Sequence, residues 1–218
     1  MTYSTIFFDL DDTLYPPSSG VWDAIGDRID LFIHKRLGIP MEDVPELRET
    51  LYRTYGTTLR GLTVTRGIDQ LDYLAFVHDI PLNDYLTPDE KVRTVLTRYP
   101  LRKVIFTNAD RAHAERVLNV LLLRDYFDQI IDILDVSPYC KPMPEAFQLA
   151  LKSAGQLDAQ DCIMIDDAAH NLRAARSAGF FTVRVGSAQA DGCCDAAAPS
   201  LHDLPSVLNP LLIPGGRS

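Results

Sequence analysis

The sequence predicts an α/β fold, a parallel sheet flanked by helices, with a small helical domain inserted after the first strand. Two observations carry this expectation. Short apolar runs alternate with segments that are apolar at helical spacing, and strands alternating with helices build a parallel sheet covered on both faces. One stretch, from about Pro16 to Thr87, breaks the alternation and shows helical patterns alone.

Taken in order, Thr5-Ile6-Phe7-Phe8 is the first run. It lacks polar alternation, as a strand buried on both faces should. In the insert, Val21 to Leu37 places Trp22, Ile25, Ile29, Phe32 and Ile33 on one helical stripe, and Leu47 to Tyr55 and Ile68 to Val77 repeat the pattern. Pro16-Pro17 and Thr87-Pro88 mark its hinges. The expected division is therefore residues 1–15 and 89–218 for the core and 16–88 for the insert. Beyond it, Lys103-Val104-Ile105-Phe106, Cys162-Ile163-Met164-Ile165 and Phe181-Thr182-Val183-Arg184-Val185 read as buried strands, and Ile130 to Ile133 as a weaker one. Helices are expected over Ala112 to Leu123, over Pro144 to Ala154 with proline in the first turn, and over Asn171 to Ala178 before Gly179. The tail from Ser187 onward is rich in Ala, Gly, Pro and Ser and carries few helix or strand cues.

The net charge of −9 over 218 residues argues against a nucleic-acid polymer as partner, since that needs clustered Lys and Arg. It does not exclude small anionic substrates, because one divalent ion reverses the local field. No apolar run approaches a membrane span, and no signal-like segment precedes Ile6, so a cytoplasmic protein without membrane contact is expected. The four cysteines have neither zinc spacing nor a disulfide pattern, and the adjacent Cys193 and Cys194 suggest no function. Monomer and homodimer are equally compatible with the sequence.

Polar residues gather at the strand ends. The first strand runs into Asp9-Leu10-Asp11-Asp12-Thr13-Leu14-Tyr15, the second into Thr107-Asn108, and the fourth into Asp166-Asp167, while Lys141 lies in the loop after the third. Taken singly, each group is more often a turn, a cap or a solvated lysine. Taken together they all stand at the carboxyl edge of one parallel sheet, where ligands of such sheets bind.

With these motifs the sequence resembles the haloacid dehalogenase-like superfamily. Asp9, Asp11 and Thr13 match its first motif, Asp-x-Asp-x-Thr. Thr107 matches the second, Lys141 the third, and Asp166, Asp167 and Asn171 the fourth; the resemblance extends to about Gly186. It implies a Rossmann-like core with a helical cap of the C1 type, and a Mg²⁺-dependent phosphatase. In that reading Asp9 is the nucleophile that takes up the phosphoryl group. Asp11 donates a proton to the leaving group and then takes one from water, for which its pKa is expected to rise as the cap excludes solvent. Lys141 neutralises charge, and Thr107 binds phosphoryl oxygens. Thr13 and Asn108 are further candidates for substrate contact. The metal ligands implied are Asp9, the Asp11 carbonyl and Asp167, with Asp166 in or just behind that set. Dehalogenases of the superfamily lack the acid two residues after the nucleophile, so Asp11 favours phosphoester chemistry.

Tyr15-Pro16 and the insert segment Tyr55 to Leu62 look like the pyrimidine 5′-nucleotidase branch, which implies nucleoside monophosphates such as UMP and CMP as substrates. Tyr55, Arg60 and Trp22 are then candidates for base or ribose contacts, although Trp22 is expected to pack among the insert helices instead. The same motifs serve phosphatases of other small sugar or organic phosphates, and a mutase would use the same core. A non-catalytic phosphate-binding or interaction module is the alternative of another class; such a protein should have lost one of the motif residues.

Overall fold

A computed structural model describes residues 3–156 and 158–212. Among the described residues, six strands form one parallel sheet: β1 (Thr5–Phe8), β2 (Arg102–Phe106), β3 (Gln129–Ile131), β4 (Cys162–Asp166), β5 (Phe181–Val185) and β6 (Ala196–Ala198). Their order across the sheet is β3-β2-β1-β4-β5-β6. The chain thus builds outward from β1 on one side, then crosses to the other. This reversal leaves a crevice at the carboxyl end of β1, the position at which open α/β sheets bind ligands.

Side chains of a strand alternate between the faces of its sheet. Ile6 and Phe8 of β1 therefore enter one apolar cluster with Ile163 and Ile165 of β4, whereas Phe7 joins Cys162 and Met164 in a second cluster on the opposite face. Burial of both faces explains the unbroken apolar runs of the sequence.

The insert consists of α1 (Val21–Leu37), α2 (Val44–Tyr55), α3 (Thr58–Arg66) and α4 (Gln70–Val77), which pack on one another. Helix α3 is absent from the sequence expectation. Thr58, Thr63, Val64 and Thr65 are weak helix formers, and tertiary packing supplies what propensity does not. Thr57 caps the helix by accepting from Arg60 N. Gly61 lets α2 come close, since a Cβ there would sit 2.8 Å from the Leu51 side chain.

The remaining helices are α5 (Glu90–Arg98), α6 (Arg111–Val120), α7 (Pro144–Ser153), α8 (Ala169–Ser177) and α9 (Leu204–Leu212). The tail expectation is corrected here. It contributes strand β6, paired to β5, and helix α9, packed on β6. Three alanines are poor strand formers, and only the partner strand makes Ala196–Ala198 extended. Residues 213–218 of that tail lie outside the described residues. Cys193 and Cys194 are free and buried, with their sulfurs 3.6 Å apart. Among the described residues, no helix is long and apolar enough to cross a membrane.

Candidate active site

The carboxyl ends of β1, β2 and β4 open into a cavity of about 550 Å³ between sheet and insert. Asp9, Asp11, Thr107, Lys141 and Asp167 line it from the core, and Trp22, Arg48, Tyr52 and Leu59 from the insert. At its floor Lys141, 1% exposed, places Nζ 2.6 Å from Asp9 Oδ1 and 2.9 Å from Asp166 Oδ2. Burial alone would depress the Lys141 ammonium, but the carboxylates of Asp166 and Asp9 reverse that and raise it above its ordinary value. Asp166 is enclosed by further donors, Ala168 N at 2.8 Å and Asn171 Nδ2 at 3.1 Å.

Carboxylate oxygens of Asp9, Asp166 and Asp167 lie within 4.8 Å of one another. Burial pushes the Asp9 carboxyl well up; Lys141 opposes this, and Asp166 and Asp167 add to it. Asp167 is raised by burial and by Asp166, against Lys141. One lysine thus faces three carboxylates. A donor set made only of hard oxygens with surplus negative charge fits a divalent cation such as Mg²⁺. The Asp11 carboxylate is not part of this cluster.

Asp11 Oδ1 instead accepts from the Tyr15 hydroxyl at 2.6 Å and from His113 Nε2 at 2.9 Å. The rise expected of Asp11 as the cap excludes solvent is opposed here by these donors. Burial does push the carboxyl up, but the charge and hydrogen bond of His113, the Tyr15 hydroxyl and His78 outweigh it, leaving Asp11 below its ordinary value. Neither His113 nor His78 is legible as functional in the sequence. His113 falls on the apolar stripe of α6 beside Ala114 and Val117, where a histidine reads as core.

Other expected site residues make contacts within the protein. The Thr13 hydroxyl lies 3.2 Å from Asp167 Oδ1 and 3.5 Å from Asp9 Oδ2, and Thr13 is not among the cavity-lining residues, so it orients carboxylates. Thr107 lines the cavity and its Oγ1 accepts from Ala109 N. Asn108 also lines it, but its amide is exchanged with the Lys141 backbone, Nδ2 to O at 3.0 Å and Oδ1 from N at 2.9 Å. It holds the lysine loop in place. Tyr55 and Arg60 do not line the cavity. Arg60 donates to the Pro138 carbonyl at 3.0 Å and to the Tyr55 carbonyl at 3.4 Å, joining insert to core. Gly56, at φ 88°, presses on the same loop, where an added Cβ would meet Cys140 Sγ at 3.1 Å. Trp22, expected to pack among helices, is instead 48% exposed and lines the cavity.

Asp12 stands in the left-handed region at φ 58°, with a buried Oδ1 that lacks a partner among the described residues. Burial, then Asp167 and Asp11, push its carboxyl up to about 6. A raised acid destabilises the fold increasingly as pH climbs from its unfolded value of 3.8 to its folded value of about 6. Asn tolerates the left-handed region equally well. Asp12→Asn is therefore expected to stabilise the metal-free protein by about 1 kcal/mol above pH 6, after allowance for solvent screening, and hardly at all near pH 4. Denaturant melts in chelator at both pH values check this. An equal gain at both would show that charge is not the cause.

A family model described as haloacid dehalogenase-like hydrolase matches residues 3–179. The chain belongs to the haloacid dehalogenase-like hydrolases. Among curated proteins it is 33% identical, over 188 residues, to Phosphate metabolism protein 8 of Saccharomyces cerevisiae, covering 80% of this chain and 59% of that one. This chain therefore spans less than two thirds of the yeast relative. It is 28% identical, over 200 residues, to the Glyceraldehyde 3-phosphate phosphatase of Pyrococcus abyssi, covering 82% and 79% of the two chains. Among solved structures, L-2-haloacid dehalogenase from Xanthobacter autotrophicus superposes with a TM-score of 0.62 at 19% identity, over 96% of this chain and 99% of that one. That likeness concerns the fold alone.

Proposed function

We propose that this chain is a Mg²⁺-dependent phosphomonoester hydrolase that works through an aspartyl-phosphate on Asp9, with residues 16–88 acting as its cap. The observation that carries the reading is the separation of the two aspartates. Asp9 lies in the carboxylate cluster beside Lys141, whereas Asp11 stands apart with its own donors. Asp9, Asp167 and the Asp11 carbonyl would hold the ion, with Asp166 fixed against Lys141 behind them. A bound Mg²⁺ supplies charge compensation for the phosphate oxygens.

In the first step an Asp9 oxygen attacks phosphorus while the bond to the leaving-group oxygen breaks, and Asp11 protonates that oxygen. In the second, water attacks phosphorus, Asp11 takes its proton, and the bond to Asp9 breaks to release inorganic phosphate. For the first step Asp11 must be protonated despite its depressed value. The negative charge of an entering phosphate beside it acts in that direction. Lys141 neutralises Asp9 and an equatorial oxygen, and the Thr107 hydroxyl binds another.

The finer reading is a nucleoside 5′-monophosphate, with UMP and CMP foremost, acted on by a cytoplasmic enzyme. The half-exposed ring of Trp22 on the cavity wall supports it, because an indole face stacks on a base. Another small sugar phosphate is the second reading, favoured by the similarity to a glyceraldehyde 3-phosphate phosphatase. The deciding experiment measures p-nitrophenyl phosphate hydrolysis with Mg²⁺ and with chelator, then compares kcat/KM for UMP, CMP, glyceraldehyde 3-phosphate and glucose 6-phosphate. Activity should need the metal and be at least about tenfold higher on the nucleotides, a difference of about 1.4 kcal/mol in transition-state binding. Metal-independent or absent hydrolysis removes the phosphatase reading, and equal kcat/KM across the panel removes the nucleotide.

A further inference from the structure

Both donors to Asp11 approach the same oxygen. The Tyr15 hydroxyl and His113 Nε2 bond Oδ1, and among the described residues no hydrogen bond is made to Oδ2. A carboxylate pinned through one oxygen presents the other in a defined direction. An ionised carboxylate only accepts, so the ring nitrogen facing Oδ1 carries the proton.

The His113 ring is itself held. Its side chain is fully buried. It stacks on His78 with centroids 4.2 Å apart and planes at 21°. His78 follows α4 of the insert, and its Nδ1 lies 2.9 Å from Asp110 Oδ1. The same Asp110 oxygen accepts from His113 N and so caps α6. The ring of His113 is therefore fixed by its helix, by the stack and by its bond to Asp11, with Asp110 tying the stacked partner to the start of that helix. Such over-determination is unnecessary for a core histidine, and it ends on the carboxylate assigned to proton transfer.

We propose that His113 is a positioning residue: it holds Asp11 through Oδ1 so that Oδ2 faces the leaving-group oxygen and, later, the hydrolytic water. This rests on the phosphatase reading above, in which Asp11 moves both protons. Orientation of a catalytic group is worth about a hundredfold in rate where a misplacement of roughly 1 Å results.

The test uses the full chain with Mg²⁺. His113→Phe keeps an aromatic ring for the stack and removes the donor. On the alkyl phosphates UMP and glyceraldehyde 3-phosphate, kcat should fall about 10- to 100-fold while KM stays within about threefold. With p-nitrophenyl phosphate, whose leaving group needs no proton, the first step is spared and the second slows. Rapid mixing should then show a burst of p-nitrophenol close to the enzyme concentration. His113→Gln, which restores an N–H near the position of Nε2, should recover most of kcat, and the shorter His113→Asn should not. If the Phe variant fails to fold, the Gln and Asn variants decide at matched thermal stability, and equal kcat for the two overturns the proposal. Asp11→Asn separates the two readings. A nearly inactive Asp11→Asn with an unimpaired His113→Phe overturns only the role of His113, whereas an active Asp11→Asn overturns the phosphatase mechanism as well.

Discussion

Asp9→Asn is expected to lower kcat by at least about 10⁴-fold while the melting temperature stays level or rises. The loss follows from removing the carboxylate that acts as nucleophile in the proposed mechanism, and knocking out a nucleophile costs about 10⁶-fold in well-studied hydrolases. The stability side follows from the cluster. The Asp9 carboxyl sits well above its ordinary value because burial and the neighbouring Asp166 and Asp167 disfavour its ionised form more than Lys141 favours it. An amide of the same shape removes that repulsion, and Lys141 keeps its 2.9 Å contact to Asp166. Steady-state hydrolysis of p-nitrophenyl phosphate and calorimetry in chelator measure the two halves. A variant that still turns over removes Asp9 as nucleophile, and one that melts early shows that the Lys141–Asp9 contact outweighs the repulsion.

Lys141→Met should be damaging in both respects. It leaves Asp9 and Asp166 buried together without their cation, and breaking a buried pair by removing one partner costs about 3–5 kcal/mol. For a chain of this size that corresponds to a fall in Tm on the order of 10 °C. Turnover should drop by about 10³-fold or more, because charge at the reacting phosphate is no longer offset. Adding Asp166→Asn should return much of the stability and none of the activity. If the single variant melts within about 2 °C of the parent, the ion cluster is not what holds the floor of the cavity.

Asp9 is legible in the sequence for a simple physical reason, whereas Lys141, a loop lysine, is legible only beside the other motif residues and the family resemblance. Strand β1 is an apolar run that stops abruptly at Asp9, and buried parallel strands end where ligands bind. The same logic exposed Thr107, Asp166 and Asp167. Residues whose roles depend on a partner from elsewhere in the chain were not legible. Asn108, a candidate for substrate contact, lines the cavity, and the match of its amide to the Lys141 backbone 33 positions away is what the sequence does not show. Arg60 was expected at a base or ribose and instead grips the Pro138 carbonyl. Asp11 is expected to rise as the cap excludes solvent; the donors that oppose this, Tyr15 and His113, include one from a helix 102 positions on. Helix α3 is not legible because its threonines and Gly61 argue locally against a helix, which its packing against α2 and α4 makes favourable. Helix α9, by contrast, shows Leu204, Val207, Leu208 and Leu211 at helical spacing. Its signal was present, but Pro205 and Pro210 obscured it.

The pairing of β6 with β5 also bears on the solubility of shortened forms. The family resemblance fades near Gly186, which invites cutting the chain there. Yet β5 would then become the sheet's outer strand on that side, with the peptide groups that Val183 to Val185 now share with Ala196 to Ala198 left open. An uncovered row of this kind is a template for other chains. Loss of Leu204 and Leu208, both buried, would also uncover the apolar surface beside it. A cut at that point spares every residue of the cavity and still favours precipitation, so the segment from Ala196 to Leu212 acts as the selvedge of the sheet.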